Sequence, residues 1–80
     1  MHERAPREGE VKAFLKDDRR SCISIVRRTD GNFCLYEDWY NNDEDGEYWS
    51  MPNRPLAGIY ANVDDAEREA RSIPGYQNSN

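Results

Sequence analysis

The chain has 80 residues, 16 of them acidic and 11 basic, for a net charge of −5. That length holds one domain, and no apolar run approaches the roughly 18 residues of a membrane-spanning helix. One histidine, His2, and two cysteines, Cys22 and Cys34, argue against Ser-His-Asp and Cys-His catalysis, most zinc ligand sets and a disulfide framework. The aliphatic core is lean: Leu, Ile, Val and Phe together number 12 of 80 residues, a level at which disorder competes with folding. Nine aromatic residues offset this, because each buries more area than an aliphatic side chain. A folded middle with frayed ends is expected.

Residues 1–10 are polar, contain Pro6 and Gly9, and read as a disordered lead. They include no apolar stretch of the signal-peptide kind, and with only two cysteines the expected compartment is the cytoplasm. Residues 11–76 are expected to form one small domain, and residues 77–80 a disordered polar tail. Val11, Ala13 and Leu15 alternate as in a strand, while Val11, Phe14 and Leu15 also fit one helical turn. A helix this short does not stand alone, which favours the strand, with Asp17-Asp18-Arg19-Arg20 as its turn.

Cys22 to Arg28 is β-branched and alternating, the clearest strand in the chain. Thr29-Asp30-Gly31-Asn32 then signals a tight hairpin. A two-residue loop would split the aliphatic residues between two faces. A three-residue loop with Gly31 left-handed pairs Ile25 with Leu35 and Arg27 with Phe33, gathering Ile23, Ile25, Phe33, Leu35 and Trp39 on one face. A sheet with one buried face takes the register that keeps its apolar residues together, so the three-residue loop is expected. It places Cys34 opposite Val26 and Cys22 opposite Asp38, about 13 Å apart along the strands, too far for a disulfide.

The next strand runs from about Asn32 to Tyr40. Residues 41–46 form a second turn, and residues 47–51 a third strand. Pro52, Pro55 and Gly58 mark an irregular passage, with a short extended piece at Ile59 and Tyr60. Residues 63–73 read as a helix capped by Asn62, with Val63, Ala66, Ala70 and Ile73 on one face and Asp64–Arg68 and Glu67–Arg71 as supporting pairs. Pro74-Gly75 ends it. The expected fold is α+β: an antiparallel meander of three or four strands with one C-terminal helix packed on one face.

Several of these segments carry a resemblance. Ser24-Ile-Val-Arg-Arg, Asp30-Gly31, Tyr48-Trp49, Gly58-Ile59-Tyr60 and the Ala66–Arg71 run are similar to those of short uncharacterised bacterial proteins with a hairpin-then-helix plan. The resemblance covers residues 21–73 and implies a bacterial origin. It carries no activity and no functional residue.

Charge is segregated along the chain. Residues 11–28 hold Lys12, Lys16, Arg19, Arg20, Arg27 and Arg28 against two acids. Residues 29–53 hold seven acids and no Lys or Arg, interleaved with Phe33, Tyr36, Trp39, Tyr40, Tyr48 and Trp49. The aromatics accompany the acids rather than the bases, so phosphate would be repelled from the stacking residues and direct nucleic-acid binding is not expected. Asn41-x-Asp43-x-Asp45-Gly46 copies the start of a calcium loop, but Pro52 stands where a bidentate Glu belongs, and the composition suits a plain hairpin turn. Glu37 and Asp38 are adjacent in a strand and point to opposite faces, so they form no carboxylate pair. No metal, no cofactor and no catalytic role is expected.

What remains is a surface. A sheet covered by one helix leaves its other face to solvent, and aromatic anchors in a charged rim suit a protein partner or a second copy. The residues expected to contact it are Tyr36, Tyr40, Asp43, Glu44, Asp45, Tyr48 and Trp49. The alternative is a nucleic-acid mimic of the phage or mobile-element type, whose acids occupy a phosphate-binding groove on a target protein.

Overall fold

The computed structural model describes residues 4–76. The first three residues of the expected lead and the tail at 77–80 lie outside that range. Five strands, β1 (Glu10–Leu15), β2 (Ser21–Arg27), β3 (Phe33–Asp43), β4 (Gly46–Ser50) and β5 (Ala57–Tyr60), precede one helix, α1 (Val63–Arg71). The sheet is antiparallel in the order β1-β2-β3-β4, and β5 also pairs with β3. The fold is therefore the expected α+β meander with a C-terminal helix, and residues 10–15 are a strand.

The β2–β3 hairpin has the three-residue loop. Arg28 N–H donates to Asn32 O at 2.7 Å, Gly31 N–H donates to Arg28 O at 3.1 Å, and Gly31 sits at φ +87°. The Asp30 carboxylate braces the turn by accepting from Asn32 N–H at 2.9 Å. Ile25 pairs with Leu35 and Arg27 with Phe33. β3 then runs eleven residues, farther than expected from sequence, and its outer edge is shared. β5 takes Phe33–Leu35, and β4 takes Trp39–Asp43 through a turn at Glu44 and Asp45.

Helix α1 is capped as expected, with Asn62 Oδ1 accepting from Asp65 N–H at 2.8 Å. Ala66 and Ala70 are fully buried and let the helix approach the sheet closely. Arg71 pairs with Glu67 at 3.0 Å, while Arg68 takes Asp65 rather than the expected Asp64. The core beneath is Phe14, Ile23, Ile25, Phe33 and Leu35, closed by Tyr76 from the chain that follows the helix.

Trp39 is not in that core. It shares the helix-side face by alternation but is 43% exposed. The cause is length. Nine helical residues span about 13 Å, whereas eleven strand residues span about 35 Å. The helix covers the first half of β3, and Tyr76 and Glu37 end the covered zone, with Tyr76 Oη donating to Glu37 Oε2 at 3.3 Å. Trp39 lies beyond it.

The second sheet face differs from the expectation of an open surface. Cys22, Ser24, Val26, Cys34 and Asp38 are all buried on it. The segment from Arg4 to Gly9, read from sequence as a disordered lead, is held against this face. Arg4 pairs with Asp38 at 3.0 Å and with Glu10 at 2.8 Å. Arg7 pairs with Asp38 at 2.6 Å, donates to Pro52 O at 2.7 Å and stacks 4.2 Å from the centre of the Tyr36 ring. Two guanidinium groups thus meet two carboxylates in a neutral, largely buried cluster, the form in which buried charge is tolerated.

Candidate functional site

The candidate surface is the β3–β4 hairpin, which runs past the end of the helix. β3 and β4 pair Tyr40 with Trp49 and Asn41 with Tyr48. Alternation therefore divides the aromatics. Tyr40 and Trp49 lie on the side of the sheet crossed by the strap of residues 4–9, packed edge to face with ring centres 5.7 Å apart, and the Tyr40 hydroxyl donates to the Glu47 carboxylate. Tyr48 lies on the helix side with Trp39, and each is 43% exposed. Tyr48 Oη donates to Asp43 Oδ2 at 3.0 Å, and this hydrogen bond raises the phenol's pKa.

The turn organises its own carboxylates. Asp43 Oδ1 accepts from Asp45 N–H at 2.9 Å, while its other oxygen holds Tyr48. Asn41 Nδ2 donates to Ser50 Oγ at 2.7 Å and to Trp39 O at 3.2 Å. The Asn41 and Asp43 side chains of the calcium-like motif are thus engaged in bracing a two-residue hairpin turn, and no cluster of metal-ligating side chains occurs among the described residues. Glu44 and Asp45 are exposed at the tip.

Of the seven residues expected at a partner surface, six belong to this hairpin: Tyr40, Asp43, Glu44, Asp45, Tyr48 and Trp49. Tyr36 is separate, half-buried beneath the Arg7 guanidinium. Sequence reasoning missed Trp39 and Leu56. Leu56 is 46% exposed and forms, with Trp39, Pro52, Pro55, Glu37 and Arg54, a shallow apolar groove beside the hairpin. Alternation alone assigned Trp39 to the core face, and the comparison of helix length with strand length is the signal that places it outside.

The basic stretch does not form one surface. Lys16, Arg19 and Arg20 lie about the β1–β2 turn, while Arg27 and Arg28 lie at the opposite end of β2. Lys12 is tied to Glu67 of the helix at 2.7 Å, and Arg28 to Asp30 at 3.1 Å. The two thiols are unbridged and buried, opposite Asp38 and Val26 as expected. Burial pushes both up in pKa, which keeps them protonated and weakly nucleophilic at neutral pH.

No helix among the described residues is long and apolar enough to cross a membrane. No protein-family model matches the chain, and neither the curated proteins nor the solved structures include a match.

Proposed function

We propose that the chain is a small, non-catalytic, cytoplasmic interaction protein that binds a protein partner through the β3–β4 hairpin. The observation that carries this reading is the exposure of two large aromatic side chains, Trp39 and Tyr48, on one face beside Leu56. Solvent-exposed Trp and Tyr in a polar rim are the composition of binding hot spots. Asp43, Glu44 and Asp45 supply an acidic part of that rim at the hairpin's tip. Two free, buried thiols accord with a reducing compartment.

The acidic tip also supports the second reading, a mimic of nucleic acid. The two differ in which force dominates, and one set of variants separates them. For a partner captured by the intact chain, Trp39→Ala or Tyr48→Ala should weaken binding by about 2 kcal/mol or more if aromatics anchor it. Neutralising Asp43, Glu44 and Asp45 together should then mainly slow association. If the chain mimics nucleic acid, the neutralised variant should lose binding, salt should abolish it, and DNA or RNA should compete. Equal binding by all folded variants would remove the hairpin as the functional surface.

A further inference from the structure

The outer edges of the sheet, β1 on one side and β4 with β5 on the other, are built differently. β1 carries a bulge between Glu10 and Lys12 and a lysine within the strand. Both are devices by which sheets discourage pairing with another chain. β4, the last strand in the sheet order, has an uninterrupted register with β3 and contains no Lys, Pro or bulge in Gly46–Ser50.

The hydrogen-bond phase of the ladder defines what β4 presents. Tyr40 N–H donates to Arg20 O at 2.9 Å, toward β2 and away from β4. Antiparallel partners alternate between pairs that bond each other and pairs that do not. Two residues along, Asn42 and Glu47 are again a pair of the second kind, so the N–H and C=O of Glu47 point outward from the sheet. The side chains beside that edge are Glu47 on one face and Tyr48 on the other, with Glu44 and Asp45 at the tip.

We propose that β4 is a strand-addition site, and that its occupant is an extended, lysine- or arginine-bearing segment of another protein. This deepens the interaction reading above and rests on it. Main-chain hydrogen bonds to an exposed edge give affinity, and alternate side chains give selectivity. Here an added strand sets one row of side chains beside Glu47 and the other beside Tyr48. Charge selects the occupant. A second copy of β4 would bring two acidic hairpins together, and a β1 edge from another copy is blunted by its bulge. A cationic segment meets neither obstacle.

The test uses the isotope-labelled full chain and three synthetic probes: an octapeptide of alternating lysine and valine, the same peptide with glutamate for lysine, and the lysine peptide methylated at every backbone nitrogen. The lysine peptide should move the amide resonances of Gly46–Ser50 saturably at millimolar concentration. The glutamate peptide should bind at least about tenfold more weakly, because like charges oppose it. The fully methylated peptide should leave β4 unmoved, since neither of its edges retains an N–H to pair. Glu44→Lys with Glu47→Lys should exchange the preference for lysine and glutamate peptides.

No saturable shift in β4, shifts confined to β1, equal effects of the two charge types, or retained binding of the methylated peptide would each overturn the proposal. So would a β4-mediated homodimer seen by light scattering. A captured partner that depends on Trp39 and Tyr48 while the lysine peptide leaves β4 silent would retire strand addition and leave the interaction reading standing. Peptide binding at β4 with partner capture indifferent to Trp39 and Tyr48 would do the reverse.

Discussion

Tyr76 shows how one side chain outside the regular elements closes the core. It is 1% exposed, lies among the buried helix and sheet residues, and reaches the Glu37 carboxylate. Burial, then the charge of Glu37, raise its pKa well above the usual phenol value. The consequence for stability has a definite sign. The folded state keeps the proton when the unfolded chain has begun to lose it. The contribution is therefore complete below the unfolded pKa of about 10 and is lost as pH rises above it. Tyr60 is shifted the same way by its own burial, so the alkaline loss is shared. Tyr76→Phe should cost about 1 kcal/mol or more at neutral pH, for the hydrogen bonding of its hydroxyl, and should flatten the decline above pH ~10 without abolishing it. Denaturant midpoints across that range provide the check. A decline as steep as in the parent chain would show that Tyr76 does not carry it.

At the scale of elements, the division between helix-covered and uncovered sheet governs what each aromatic does. Phe14 lies under α1 at 1% exposure, with the Arg71 guanidinium 4.7 Å from its ring centre. Trp39 lies beyond the helix. Phe14→Ala should cost about 3–5 kcal/mol, as for other buried aromatics, while Trp39→Ala should cost about 1 kcal/mol or less, as for surface positions. Thermal unfolding of the two variants decides this, and a larger loss at Trp39 would place the core elsewhere. The same elements show what sequence can carry. The β2–β3 hairpin was legible because Asp30-Gly31 encodes its turn locally and one register alone keeps Ile25 and Leu35 together. The helix was legible from Asn62 and the spacing of Ala66 and Ala70. Six of the seven expected site residues were legible as neighbours because a single tight turn joins them. Trp39 was not, since alternation fixes a face but not how far along a strand the cover extends. The strap was not legible either: Arg4 and Arg7 meet Asp38 across more than thirty residues of chain, and no local pattern announces such a pairing.

At the scale of the whole molecule, that strap gives the sheet its second cover, opposite the helix. The helix covers one sheet face, while on the other Asp38 is gripped by a segment with no regular structure of its own apart from a turn. The segment is held chiefly by charge, not apolar area. Its attachment therefore depends on Arg4 and Arg7 finding Asp38 and Glu10, and removing both arginines leaves a buried carboxylate without cations. Breaking a buried ion pair from one side typically costs about 3–5 kcal/mol, a large share of the stability of so small a domain. The two thiols report on it without any added probe site. In the parent chain they should react slowly with a thiol reagent, because burial both hides them and keeps them protonated. Arg4→Ala with Arg7→Ala should speed labelling of Cys22, which lies opposite Asp38, and should do so under conditions where the helix and core remain folded by circular dichroism. Local opening of this kind is expected where few apolar contacts hold a segment. Lys12→Ala, which breaks the exposed link to Glu67 on the helix side, serves as the control and should leave labelling unchanged. If the double variant labels at the parent rate while folded, the thiols are protected by something other than the strap. If it labels only on global unfolding, the strap is an inseparable part of the core, and the two faces of the sheet stand or fall together.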